Sequence, residues 1–128
     1  MTTKGELIIN HNGAAYNFKF GVYAAQLVEK QAKKEFEANS ILELSHFTLV
    51  PLTLMCGFNS HASNKGKEID FEMTCNLIDE LGEEKTGEAW EVATDALGFY
   101  LRMQKVPQET VQMLLNPAKA LNEANKDG

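Results

Sequence analysis

The stretch that decides the fold is HFTLVPLTLMCGF, residues 46–58. It carries no charge beyond the imidazole of His46, and any helix drawn through it shows apolar side chains on every side. A helix that is hydrophobic all round belongs inside a protein or a membrane. With Glu43 and Asn59 on its flanks, the run is shorter than the ~20 apolar residues a bilayer span requires. The expected structure is therefore a buried central helix in a small globular domain. Pro51 leaves two ways to begin it. Either Thr48 caps the helix and Pro51 sits in the first turn, or a helix from Ser45 is kinked at the proline. The first is preferred, because it costs no helical hydrogen bond.

Working outward, residues 6–20 carry the clearest local signal. Asn12-Gly13 is the favoured pair for a type I′ hairpin turn, where both central residues take positive φ. Placed at the turn, they pair Ile9 with Tyr16, Leu7 with Phe18, Ile8 with Asn17 and Glu6 with Lys19. Leu7, Ile9, Tyr16, Phe18 and Phe20 then share one face, and an opposite-charge pair lies on the other. A lone hairpin is marginal in water, so this aromatic face must lie against something, with the central helix as its partner.

Gly21 ends the second strand, and the spacing predicts a helix over 22–37 with Ala25, Val28, Ala32 and Phe36 in line and Leu27 beside them. Residues 59–67, NSHASNKGK, read as a polar, mobile loop. Asp70 caps a helix to Leu81 with Phe71, Thr74, Cys75, Ile78 and Leu81 inward and Gly82 as its stop. A longer helix starts near Thr86 or Gly87 and runs to about Lys105. Its core face is Ala89, Trp90, Ala93, Ala96, Leu97, Tyr100, Leu101 and Met103, and Val106-Pro107 closes it. The fold class is thus α+β, an N-terminal β-hairpin packed on about four helices. One domain is expected over 1–128: the hairpin at 6–20, a helical body at 22–106, then a short helix and polar tail at 107–128.

At 128 residues, one domain of this size buries roughly two-thirds of its unfolded surface. Its 44% hydrophobic and 23% charged residues argue against disorder. A net charge of −6 disfavours nucleic acid and anionic lipid as partners, since both reward clustered Lys and Arg. Lys30, Lys33 and Lys34 are interleaved with Glu29, Glu35 and Glu37, as on a solvated helix face. Cys56 and Cys75, each in an apolar helical pattern, read as free thiols of a reducing compartment. MTTKGEL has no apolar signal segment, so a cytoplasmic location is expected.

Candidate chemistry is sparse. His46, Cys56, His61 and Cys75 could be offered as metal ligands, but their spacing matches no zinc pattern, and no metal or other cofactor is expected. Nothing places Cys56 beside a base, and an apolar helix would raise its pKa, so no catalytic residue is assigned. Asp70-Phe71-Glu72 lacks the glycine and later oxygen ligands of a calcium loop. Nine of the eighteen acids fall between positions 65 and 91, against three lysines. They form either a face that steers a basic partner or the wet side of two helices. Trp90 and Tyr100 have the spacing of core residues. Val111, Met113, Leu114 and Leu115 place four apolar side chains before Asn116-Pro117. They either fold back on the core or dock on a neighbouring copy, and are the candidate partner or self-association residues.

The order of parts carries a resemblance. The hairpin Leu7-Ile8-Ile9-Asn10 … Asn12-Gly13 … Tyr16-Asn17-Phe18-Lys19-Phe20-Gly21 precedes an amphipathic helix and an apolar one. A loop ending Lys65-Gly66-Lys67-Glu68-Ile69-Asp70 then introduces an acidic helix. Over residues 6–105 this resembles the tail assembly chaperones of long-tailed bacteriophages and their prophages. The chain departs from that family in its longer His11-Asn12-Gly13-Ala14 turn and in Pro51. The resemblance implies a non-enzymatic protein of the bacterial host cytoplasm that coats the tape measure protein and helps recruit tail tube protein. The alternatives are a structural tail or connector subunit and a generic helical adaptor.

Overall fold

The computed structural model describes residues 5–115, with side chains as far as Gln112. Strands β1 (Glu6–His11) and β2 (Ala14–Lys19) form an antiparallel hairpin in the expected register. Asn12 at φ 50° and Gly13 at φ 78° make the turn with the positive angles a type I′ geometry demands. Leu7, Ile9, Phe18 and Phe20 are buried, with Tyr16 half-buried on the same face.

Five helices follow: α1 (Val22–Phe36), α2 (His46–Ser60), α3 (Phe71–Leu81), α4 (Glu83–Met103) and α5 (Gln108–Leu115). The apolar run is central, as expected: α2 touches β2, α1, α3 and α4, and residues 49–58 are buried without a break. The hairpin lies on it through rings. Phe18 meets Phe58 edge-on at 5.8 Å between centroids and stacks on Phe20 at 6.2 Å.

The start of α2 corrects the expectation that Thr48 caps it. Ser45 is the N-cap, and its carbonyl accepts from the N–H groups of Thr48 (3.1 Å) and Leu49 (2.8 Å). Pro51 therefore lies inside the helix, in its second turn. A proline there removes one helical bond and crowds the carbonyl four residues back, at a cost of about 3 kcal/mol. That carbonyl belongs to Phe47, which lies at the exposed end of α2 and within reach of water. Burial of the following two turns outweighs the penalty, since tertiary packing supplies most helical stability.

One further boundary and two burial assignments differ. Helix α4 begins at Glu83, not near Thr86 or Gly87, because Gly82 at φ +86° turns the chain at once from α3 into α4. The Thr86 hydroxyl then donates back to the carbonyl of Ile78 (3.0 Å). Met103, placed in the core from its spacing, is 56% exposed, for it lies in the last turn of α4. In α1 the buried line is Ala24, Val28 and Ala32, with Ala25 only half-buried.

The polar segment 59–67 is not a loose loop. It completes α2 and forms a short 3₁₀ turn, Ala62–Asn64. The Asn59 side chain bonds the backbone of Ile69 twice, as donor to its carbonyl and acceptor from its N–H (both 2.9 Å). Asp70 caps α3 as expected, its Oδ1 accepting from the Met73 N–H at 2.8 Å.

Candidate interaction surface

Helix α4 positions the largest set of uncommitted charges. Glu84, Glu88, Glu91 and Asp95 follow one another at steps of four, three and four, the spacing that puts side chains on one helical face. All four are exposed, and among the described residues none of their carboxylates has a hydrogen-bond or ion-pair partner. Phe99, 46% exposed, continues the same face one turn beyond Asp95. On the core side of α4, Trp90 is half-buried and is met edge-on by Phe47 of α2, with 6.1 Å between ring centroids. Phe47 itself is 82% exposed. The acids and Phe99 thus share the outward face of α4, while the Phe47–Trp90 pair lies on another side of the helix, at the start of α2.

Only part of this surface was anticipated. The nine acids between positions 65 and 91 are all exposed. Two of them serve the backbone: Asp70 caps α3, and Glu68 accepts from the N–H of Gly66 at 3.1 Å. Bonding from its own N–H and from that of Gly66 holds the Glu68 carboxyl below the usual carboxylate range. Trp90 packs against the core and Tyr100 is inside it. Phe47 was missed, since it belongs to a run read as wholly buried. An all-apolar run has no polar side to orient it, so periodicity could not mark which end stays wet.

The remaining candidates fall as follows. Val111 is fully buried in the core, on a helix that packs against α4. The side chains of Met113, Leu114 and Leu115, and the tail from Asn116 on, lie outside those described. Cys56 is a buried free thiol, and burial, then the Glu35 carboxylate, push its pKa up to about 12. It is protonated and unreactive near neutral pH. Cys75 is half-buried and raised by burial, then by Asp79 and Glu72. The Tyr100 hydroxyl is the one buried side-chain polar atom, among the described residues, with no hydrogen-bond partner. Burial and then the Cys56 thiol raise its pKa. His61 accepts at Nδ1 from the Ser63 N–H, 3.1 Å away. No group of three or more His, Cys, Asp or Glu among the described residues is placed to hold a metal ion.

Two hollows open to solvent. One, about 390 Å³, runs along α1 to Ile41 and has Glu29, Lys30 and Lys33 at its edge. The other, about 290 Å³, lies between β2, the end of α2 and α3, lined by Tyr16, Phe58, Met73 and Leu77 among others. No described helix is long and apolar enough to cross a membrane.

The fold and its surface define an α+β domain in which α4 carries a line of exposed acids ending at Phe99, with the exposed Phe47 meeting its Trp90 on another side. No family model matches the chain, and no curated protein or solved structure is significantly similar to it.

Proposed function

We propose that this protein is a tail assembly chaperone of the kind found in long-tailed bacteriophages. It binds the tape measure protein, assists recruitment of the tail tube protein, and performs no catalysis. The observation that carries the reading is the α4 surface: Glu84, Glu88, Glu91 and Asp95, whose carboxylates have no partner among the described residues, in line with Phe99, with the exposed Phe47 meeting Trp90 on another side of the helix. An amphipathic helical client offers apolar side chains to the rings and Lys or Arg to the acids. The hairpin-first order of elements, on which the family resemblance rests, agrees with this reading.

Co-expression with the cognate tape measure protein tests it. The tape measure protein is expected to co-purify with the chain, and a Phe47→Ala, Glu88→Lys double variant is expected to lose it while keeping its helical content. Failure to retain any segment of the tape measure protein, together with presence of the chain in finished particles, would instead favour a structural tail subunit.

A further inference from the structure

The two outer edges of the hairpin are unequal. In a two-residue hairpin the pair next to the turn is hydrogen-bonded, and bonded pairs then alternate along the ladder. His11 and Ala14 flank the turn, so the bonded pairs are 11/14, 9/16 and 7/18. The peptide groups of Glu6, Ile8 and Asn10 therefore face away from β2, and those of Ala15, Asn17 and Lys19 face away from β1. On the β2 side two of the three outward carbonyls are taken by side chains. Lys19 accepts from the Ser60 hydroxyl (2.7 Å) and Asn17 from the Asn64 amide (2.8 Å). On the β1 side the Asn10 carbonyl accepts from the Lys85 ammonium, while the outward N–H and carbonyl of Ile8 have no partner among the described residues. The Ile8 side chain is 45% exposed, although Leu7 and Ile9 on either side of it are buried.

We propose that the free edge of β1 pairs antiparallel with β1 of a second copy of this chain, about a two-fold axis at Ile8. The number of pairs and the chemistry select that centre. Only residues 6, 8 and 10 present peptide groups outward, and an axis at Ile8 is the one that brings all three into pairs within the strand. At Glu6 it would oppose two carboxylates, and at Asn10 it would bring two Lys85 ammonium groups together and leave Ile8 unpaired. At Ile8 the strand is self-complementary, as a two-fold interface requires. Ile8 covers Ile8 of the second copy, the Glu6 carboxylate meets the Asn10 amide of the second copy, and Leu7 adjoins its Ile9. A carbonyl has two lone pairs, so Asn10 can keep Lys85 while accepting the new bond. The resulting four-stranded sheet ends at both sides in β2, where side chains already cap the carbonyls of Asn17 and Lys19. An edge blunted in this way stops growth, and the assembly closes as a dimer.

Cross-linking tests the register. In a Cys75→Ser background, Ile8→Cys is expected to form a disulfide dimer under mild oxidation. Hydrogen-bonded strand partners lie about 5.5 Å apart at Cα, within disulfide range. Asn10→Cys is expected not to cross-link, because the two copies of residue 10 would lie four residues apart along the strand, about 13 Å. The wild-type chain is expected to sediment as a dimer, and Ile8→Lys as a monomer with unchanged helical content. A wild-type chain that stays monomeric at every concentration would overturn the proposal, and so would equal cross-linking by the two cysteine variants.

Discussion

Gly57 is where the hairpin and α2 come closest. A Cβ added there would overlap the Phe20 ring, lying 2.8 Å from its Cδ1 and nearer still to Cε1. The ring cannot step aside, since Phe20 is buried and stacked on Phe18. Gly57→Ala is therefore expected to destabilise the fold by about 1–3 kcal/mol, the usual cost of overfilling a packed site. Urea denaturation measures this, and an unchanged midpoint would show that the ring has room to move. Nothing in the local sequence announces this role. Gly57 falls within a helix and takes no positive φ, so only the approach of a strand far away in the chain explains it.

Elements were legible to different degrees, for reasons that differ in kind. The hairpin register could be read because turn chemistry, side-chain alternation and the Glu6–Lys19 pair all specify the same alignment. The start of α2 could not, because the proline penalty is local while the burial that outweighs it is supplied by three other helices and a strand. Segment 59–67 misled through its composition, for its polar side chains are spent on other elements' backbone. Asn64 is the clearest case. It is 6% exposed, and its amide donates to the carbonyls of Asn17 (2.8 Å) and Phe58 (2.9 Å), tying β2 to the end of α2. Replacing it leaves both acceptors short of a donor. Asn64→Ala is expected to cost about 1–3 kcal/mol, far more than a loop substitution would. The same denaturation measurement, supported by hydrogen exchange at β2, checks it.

For the whole molecule, the core predicts how stability depends on alkaline pH. Cys56 and Tyr100 are buried, and both groups are raised above their ordinary values of 9.0 and 10.0. The folded chain therefore keeps protons that the unfolded chain has released, and stability falls as pH rises wherever that holds. The contribution of Cys56 is complete below pH 9 and is lost as pH climbs from 9.0 towards its folded value of about 12. Urea midpoints are expected to be flat below that window and to decline within it. Cys56→Ala should lower the midpoint overall and make the decline shallower. An equally steep decline in the variant would place its cause elsewhere in the molecule.

The amino-acid sequence alone was enough for everything that depends on short-range chemistry. Asn12-Gly13 sets the hairpin and its register, Asp70 and Gly82 bound α3, and a thirteen-residue run with no charge beyond His46 must be mostly buried wherever it lies. Tertiary structure decided what depends on neighbours brought from elsewhere in the chain. It set which end of that run stays wet at Phe47, that Pro51 is carried inside α2, and that residues 59–67 cover the edge of β2. Among the described residues it also left the edge of β1 open at Ile8 and lined up acids without partners ahead of the exposed Phe99 on α4. A periodic pattern records which residues can share a face. Which face is covered, and which strand edge is left open, is settled only when long-range packing meets the demand that buried polar groups find partners.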